Sequence, residues 1–262
     1  MSGTGFYGNN LMQESLILIV KVPKKISPNP IIESTVEFRF KSTVPSSALF
    51  GMLYGKISDK YKKYEELPIL ELPRSVLETD SKFRRQPQYR FFMESFIIQF
   101  GPEMVSISVK NGYQGWDEFF KEISYLVNVF KELNIIEKVT RIGMRYIDFF
   151  PDIDIYEKIN MRIYLGDDPF KSSSQYIRTE LKLEEYDVLL QITNKAEAIG
   201  DGLKRFTGSL IDYDLSISKD IHNSDFYSEY NQILNKAHEY LKDHFFTVLI
   251  RKDFLETLNP GY

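Results

Sequence analysis

The 262-residue chain has no cysteine, one tryptophan and only three histidines. Without cysteine there is no disulfide frame, no thiolate metal site, no iron–sulfur cluster and no thiol nucleophile. A disulfide-stapled secreted domain is thereby excluded, and the cytoplasm is the expected compartment. Gly and Pro number 14 and 11, too few for a collagen-like or linker-like chain. A net charge of −4 with an ordinary apolar content argues against disorder. Long apolar runs are missing as well. Leu16-Ile17-Leu18-Ile19-Val20 is too short to span a bilayer, and no small-residue cleavage site precedes Lys21, Lys24 and Lys25. We read a strand over 16–22 there, with no signal peptide and no membrane partner. No G-x-S-x-G elbow, P-loop or H-E-x-x-H motif occurs. His238 and His244 stand six apart, about 120° from each other's face on a helix, which is poor for a shared metal. No cofactor is expected.

What is abundant is aromatic: 20 Phe and 17 Tyr, enough for a large core and favourable to strands. Alternation is clean from Thr35, with Val36, Phe38 and Phe40 on one face and Glu37 and Arg39 on the other. Apolar residues at three- and four-residue spacing predict helices over 45–63, 116–133 and 225–242, the first opened by Pro45. Strands are predicted over 68–72, 91–100, 104–110, 139–149, 161–165, 175–185, 187–193 and 209–218. Residues 73–88 and 197–207 read as loops, 155–160 as a short helical or irregular piece, and 245–258 as a last short helix.

The order strand, helix, several antiparallel strands, helix occurs twice. It predicts an α+β fold with one curved antiparallel sheet and helices on one face, as hairpin-length connections and half-buried alternation require. This order resembles the duplicated halves of the TATA-binding-protein-like fold. The expected organisation is an N-terminal arm and strand (1–27) before a single domain (28–262) of two similar halves, 28–135 and 136–262. Phe38, Phe40, Trp116, Phe120, Leu126, Ile142, Tyr146, Leu181 and Ile211 are expected to be mostly buried.

Four segments carry a family resemblance: Asn29-Pro30-Ile31-Ile32-Glu33 leading into β-type alternation; Arg141-Ile142-Gly143-Met144-Arg145-Tyr146-Ile147-Asp148; Leu210-Ile211-Asp212-Tyr213-Asp214; and His238 with Phe245 or Phe246 beyond it. Together they resemble a sporadically distributed bacterial family of about 250–270 residues, with matches from about 28 to 258. Asp148 stands where the family usually has Asn, and Tyr213 where it has Ile. The family has no established reaction. Its patchy spread implies mobile elements or defence loci.

Three clusters carry candidate chemistry. Asp212 and Asp214, two apart on a strand, point the same way, a pairing that divalent cations favour; the preferred reading of the same pattern is an ordinary charged outer face opposite Ile211, Tyr213 and Leu215. Arg141 and Arg145 share a face with Gly143; Arg178 and Glu180 share another, with Lys182 and Glu184; Glu37 and Arg39 share a third. If these faces converge, forked arginines can grip a phosphate or nucleotide, with Gly143 admitting a close approach. Otherwise they are cross-strand ion pairs, each of about 0.2–1 kcal/mol, and replacing Arg145 costs little stability. The basic run Lys82, Arg84, Arg85 and Arg90, interleaved with Phe83, Tyr89, Phe91 and Phe92, has the composition of a single-strand nucleic-acid clamp, but the negative total charge favours a loop that simply stays soluble.

The reading that results is a non-catalytic binding or regulatory protein, of a mobile-element, defence or toxin–antitoxin-like locus. The ligand-binding residues are expected to be Arg39, Arg141, Arg145, Arg178 and Glu180. A protein partner or a second copy in a homodimer is expected. The negative total charge ranks nucleic acid or nucleotide below these. One alternative is a metal-dependent phosphodiester or nucleotide-processing enzyme using Asp212 and Asp214; another is a structural, self-associating module.

Overall fold

The computed structural model describes residues 21–110, 112–169, 174–199 and 205–262. Among them the chain runs β1 (Ile31–Ser42), α1 (Ser46–Ile57), β2 (Lys63–Glu66), α2 (Arg74–Thr79), α3 (Ser81–Arg84), β3 (Tyr89–Phe92), β4 (Phe96–Gly101), β5 (Met104–Val109) and α4 (Trp116–Leu133). It continues through β6 (Ile136–Pro151), β7 (Tyr164–Leu165), β8 (Asp168–Pro169), β9 (Tyr176–Leu183), β10 (Tyr186–Ile199), β11 (Arg205–Ile217), β12 (Ile221–His222), α5 (Asn223–Asp243) and α6 (Lys252–Thr257).

One antiparallel sheet takes ten of these strands, in the order β2-β3-β4-β5-β1-β6-β11-β10-β9, with β12 beside β6. The first strand of each half, β1 and β6, lies at the centre, and each half's later strands extend outwards. The fold is α+β, as the sequence pattern predicts. The halves differ after their opening strand: α1 follows β1, whereas β6 leads only into a 3₁₀ turn at Ile155–Glu157 and the small β7–β8 hairpin.

Register sorts the two faces. One row of paired residues runs Tyr64, Phe91, Ile98, Ile107, Val36, Met144, Leu215, Val188 and Leu181 across nine strands. The next row, on the opposite face, runs Glu65, Arg90, Gln99, Ser106, Glu37, Gly143, Ser216, Asp187 and Lys182. A one-residue slip would exchange the two, so burial of the first row fixes the pairing. Helices cover that apolar face. Phe226 of α5 meets Phe38 edge-on at 5.3 Å, and Phe130 of α4 meets Phe40 at 5.7 Å. Burying one such ring contributes about 1.5–3 kcal/mol. α4 starts after Gly115, at φ 111°, and stops at Asn134, whose left-handed φ of 50° carries the cap.

Several boundaries move. α1 ends at Ile57; just beyond it the Tyr61 amide donates to the Ile57 carbonyl at 2.7 Å and its hydroxyl donates to Glu122 on α4 at 2.8 Å. Residues 68–71 form a 3₁₀ turn instead of a strand, and the predicted loop over 73–88 holds two short helices. The predicted strand 91–100 is a hairpin of β3 and β4, and β10 and β11 reach further into the predicted loop 197–207. The last predicted helix opens as a π-helical turn at His244–Leu249 before α6. Of the predicted core, Trp116, Phe120 and Leu181 are only partly buried: the two rings sit at the α4–α5 seam and Leu181 on the outermost strand. Residues 16–20 of the predicted N-terminal strand lie outside the described residues, and Lys21 and Val22 are not in a strand. The amides of Lys24 and Ser27 instead donate to Gly261 and Leu258 carbonyls, both at 2.7 Å, tying this segment to the C-terminal tail.

Candidate functional site

The helix-free face of the sheet centre carries the charges. Strand alternation turns Glu33, Thr35, Glu37 and Arg39 of β1, Arg141 and Arg145 of β6, and Asp212 and Asp214 of β11 towards it. Antiparallel register sets Arg39 opposite Arg141, and Arg145 between Thr35 and Asp214. Two like charges directly opposite repel, and the structure answers this with a shared carboxylate. Glu37 Oε1 accepts from Arg39 Nε at 2.7 Å and from Arg141 Nη1 at 2.8 Å. Arg141 Nη2 reaches Asp214 Oδ1 at 3.4 Å.

Arg145 makes the strongest pair. Its Nε and Nη2 donate to the two oxygens of Asp212 at 2.7 and 2.6 Å, a fork-to-fork contact. The Asp212 side chain is 5% exposed and also accepts from Gln191 Nε2 at 2.7 Å. The Asp212 bond holds the Arg145 guanidinium above its ordinary pKa. Burial pushes the Asp214 carboxyl up, against the opposing pull of Arg141 and Arg145.

Gly143 admits a close approach, but the visitor is internal. A β-carbon there would stand 2.4 Å from Arg141 Nη1, so the missing side chain lets the Arg141 guanidinium lie along its own strand.

These side chains floor a concavity of about 540 Å³. The segment Arg85-Gln86-Pro87 walls one end, pressed against the β4–β5 turn: a β-carbon at Gly101 would meet the Gln86 carbonyl oxygen at 2.2 Å. Arg39, Arg85, Arg90, Lys110, Arg141 and Arg145 line it against Glu33, Glu37 and Asp214. Six cations face three carboxylates in the lining, and Asp212 and Glu65 pair with Arg145 and Arg90 from just outside it, which leaves an excess of one positive charge in a chain of net charge −4. Arg85 and Lys110 have no carboxylate partner among the described residues.

Of the predicted ligand-binding residues, Arg39, Arg141 and Arg145 come together. Arg178 and Glu180 do not join them. They share the face but sit on the outer strand β9, largely exposed and paired with each other at 2.9 Å. Asp212 and Asp214 point the same way, as two-residue spacing demands, yet both are engaged by arginines. Among the described residues no group of three His, Asp or Glu side chains is arranged to hold a metal.

The basic run divides. Arg85 and Arg90 enter the concavity, while Arg84 turns to Glu103 at 3.4 Å. Two of its four aromatics are not free to stack on bases: Phe91 is fully buried, and Tyr89 stacks on Phe50 at 4.1 Å. Sequence reasoning missed Glu33, Gln191, Arg85 and Lys110 as members of one site. Glu33 was legible, being in phase with Glu37; the other three depend on strand order and loop placement. No helix among the described residues is long and apolar enough to cross a membrane. A scan against protein-family models and a search of curated proteins both returned no match.

Proposed function

We propose that this protein is a non-catalytic binding module whose central sheet face takes a small, multiply charged anion of the phosphate class. The observation that carries this reading is the slight cationic excess of the concavity, with Arg85 and Lys110 at its rim free of carboxylate partners among the described residues and Lys110 over the Phe92 ring. Forked guanidinium groups suit phosphate oxygens. The non-catalytic reading is supported by the same network: Glu37, Asp212 and Asp214 each lie against an arginine, which competes with a bound cation or a proton for them. A role in a mobile-element or defence locus is part of this proposal and rests on the family resemblance of the Arg141–Asp148 and Leu210–Asp214 strands.

Pyrophosphate and nucleoside triphosphates are the probes. Binding raises the melting midpoint, since ligand at about 100 times its Kd adds roughly 2.7 kcal/mol. Arg39→Ala and Arg85→Ala should each weaken binding about tenfold with little change in the unliganded midpoint. No shift with any anion, or shifts unaltered by both substitutions, would overturn the reading. Release of phosphate from the triphosphates would favour the enzymatic alternative instead.

Self-association belongs to the same proposal, through the outer edge of β9, which pairs with no strand among the described residues. The segment Ile177-Arg178-Thr179-Glu180-Leu181 is self-complementary. Antiparallel pairing of two copies centred on Thr179 sets Arg178 opposite Glu180 on the charged face and Ile177 opposite Leu181 on the other. This gives the two edge charges a role outside the concavity.

A further inference from the structure

A second cavity, of about 680 Å³, lies on the helix-covered face, between β6, β11, the start of α4 and the end of α5. Its size falls in the range of small-molecule pockets. Trp116 forms one wall and stacks on His238 with ring centroids 4.4 Å apart and planes 5° from parallel. His238 Nδ1 is 3.0 Å from the Tyr146 hydroxyl, and Tyr113 stands edge-on to the Tyr146 ring at 5.7 Å. The floor carries Asp148, two residues beyond Tyr146 on the same face of β6.

Asp148 is 5% exposed and has no hydrogen-bond or ion-pair partner among the described residues. A buried carboxylate without a partner is costly, and strand β6 alone did not require one here, since its neighbours Phe149 and Phe150 are apolar. Its oxygens face a cavity with aromatic walls, where two acceptors can receive two parallel N–H donors.

We propose that this cavity binds a flat nitrogen heterocycle bearing a ring N–H beside an exocyclic amino group, a guanine-type edge, with Asp148 accepting both donors and the ring packed among Trp116, Tyr113 and Tyr213. Free base, nucleoside and nucleotide share that edge. Lys24 and Lys25 line the same cavity and stand where a phosphate tail would meet them. The proposal is independent of the anion site, which lies on the opposite face of the sheet.

Titration of the site follows from its surroundings. The groups facing Asp148 are Tyr146 and Tyr213 from the sheet, Tyr113, Asp117 and Glu118 around the start of α4, His238, Glu239 and Lys242 from α5, and Lys24 and Lys25 before β1. Burial pushes Tyr113, Tyr146 and Tyr213 up and His238 down to about 4, so none of these four changes charge near neutrality. Burial lifts Asp148 to about 7.

Trp116 is the only tryptophan, so its emission reports occupancy directly in the full chain. Guanosine and guanosine monophosphate should change it, inosine, which lacks the amino group, should bind at least about tenfold more weakly, and Asp148→Asn should weaken guanosine by at least about tenfold. Tighter binding of the monophosphate would assign the lysines to the phosphate; equal binding would assign the site to the base alone. In the unaltered protein guanosine affinity should fall as the pH is lowered below about 7, a readout that stands even if the variant folds poorly. No emission change up to about 1 mM of either ligand, equal affinity for inosine, or undiminished binding by a folded Asp148→Asn variant would each overturn the proposal.

Discussion

The guanidinium of Arg141 lies over Gly143, two residues along the same strand, where any β-carbon would come within 2.4 Å of Nη1. That contact holds the guanidinium between Glu37 and Asp214, joining the charges of three strands.

Gly143→Ala tests it. The clash is with the far end of a flexible side chain, so the fold tolerates it, and alanine in a strand is better by about 0.5–1 kcal/mol. We expect the melting midpoint to stay within the equivalent of about 1 kcal/mol. Binding of pyrophosphate should weaken because Arg141 is displaced. Unchanged anion affinity would detach Arg141 from the site.

Arg145→Ala is expected to behave differently from a surface pair. It leaves the buried Asp212 carboxylate with Gln191 alone. Breaking a buried pair costs about 3–5 kcal/mol; Arg145 itself is 40% exposed, so screening by solvent reduces this to about 1–3 kcal/mol. Denaturant melts of Arg145→Ala, Asp212→Asn and the double variant measure the coupling. A loss under about 0.5 kcal/mol would return this contact to the class of surface pairs.

Asp148→Asn should change how stability depends on pH. The folded-state pKa, about 7, lies above the unfolded value, so the folded protein holds the proton more tightly. The stability this gives is fully present below about pH 4 and is lost as pH rises through about 7. Asparagine removes the loss. The variant's advantage over the parent should grow from about pH 4 and level off above about pH 7, reaching a few kcal/mol at most. Comparing the pair cancels His238, whose neutral burial acts oppositely as pH falls from its ordinary range towards about 4. A difference independent of pH would mean that Asp148 is not buried as described.

Tyr61→Phe should cost about 1–3 kcal/mol, because Glu122, itself buried on α4, loses the hydroxyl that donates to it and keeps only Lys60. Tyr61→Leu, which also loses ring packing, should cost more. Equal melts for Tyr61→Phe and the parent would remove this bond from the α1–α4 contact.

Glu180→Pro should abolish self-association while leaving the monomer folded, since the Thr179 amide belongs to the β10 side of the ladder and that of Glu180 to the open edge, where proline is tolerated but presents no donor to a partner. Light scattering at micromolar concentration is the check. A parent sample giving the 30.8 kDa monomer alone would end the edge-pairing proposal.

Alternation and helical spacing are local properties, and they were readable. Val36, Phe38 and Phe40 against Glu37 and Arg39 follow from the two-residue period of a strand, and the 116–133 helix from its apolar stripe. From these alone come the α+β class, the buried face and the side of each strand on which the arginines stand. The register of a distant strand is not local. That Asp212 meets Arg145 and Gln191, while Arg178 pairs only with Glu180 at the edge, was decided by which strands became neighbours, and that depends on packing the whole core at once. The same holds for Arg85, brought to the concavity by a loop lying against Gly101. It holds most for Asp148: in sequence it is one acidic residue in an apolar run, and only the closure of α4 and α5 over the sheet removes it from water and leaves it facing a cavity.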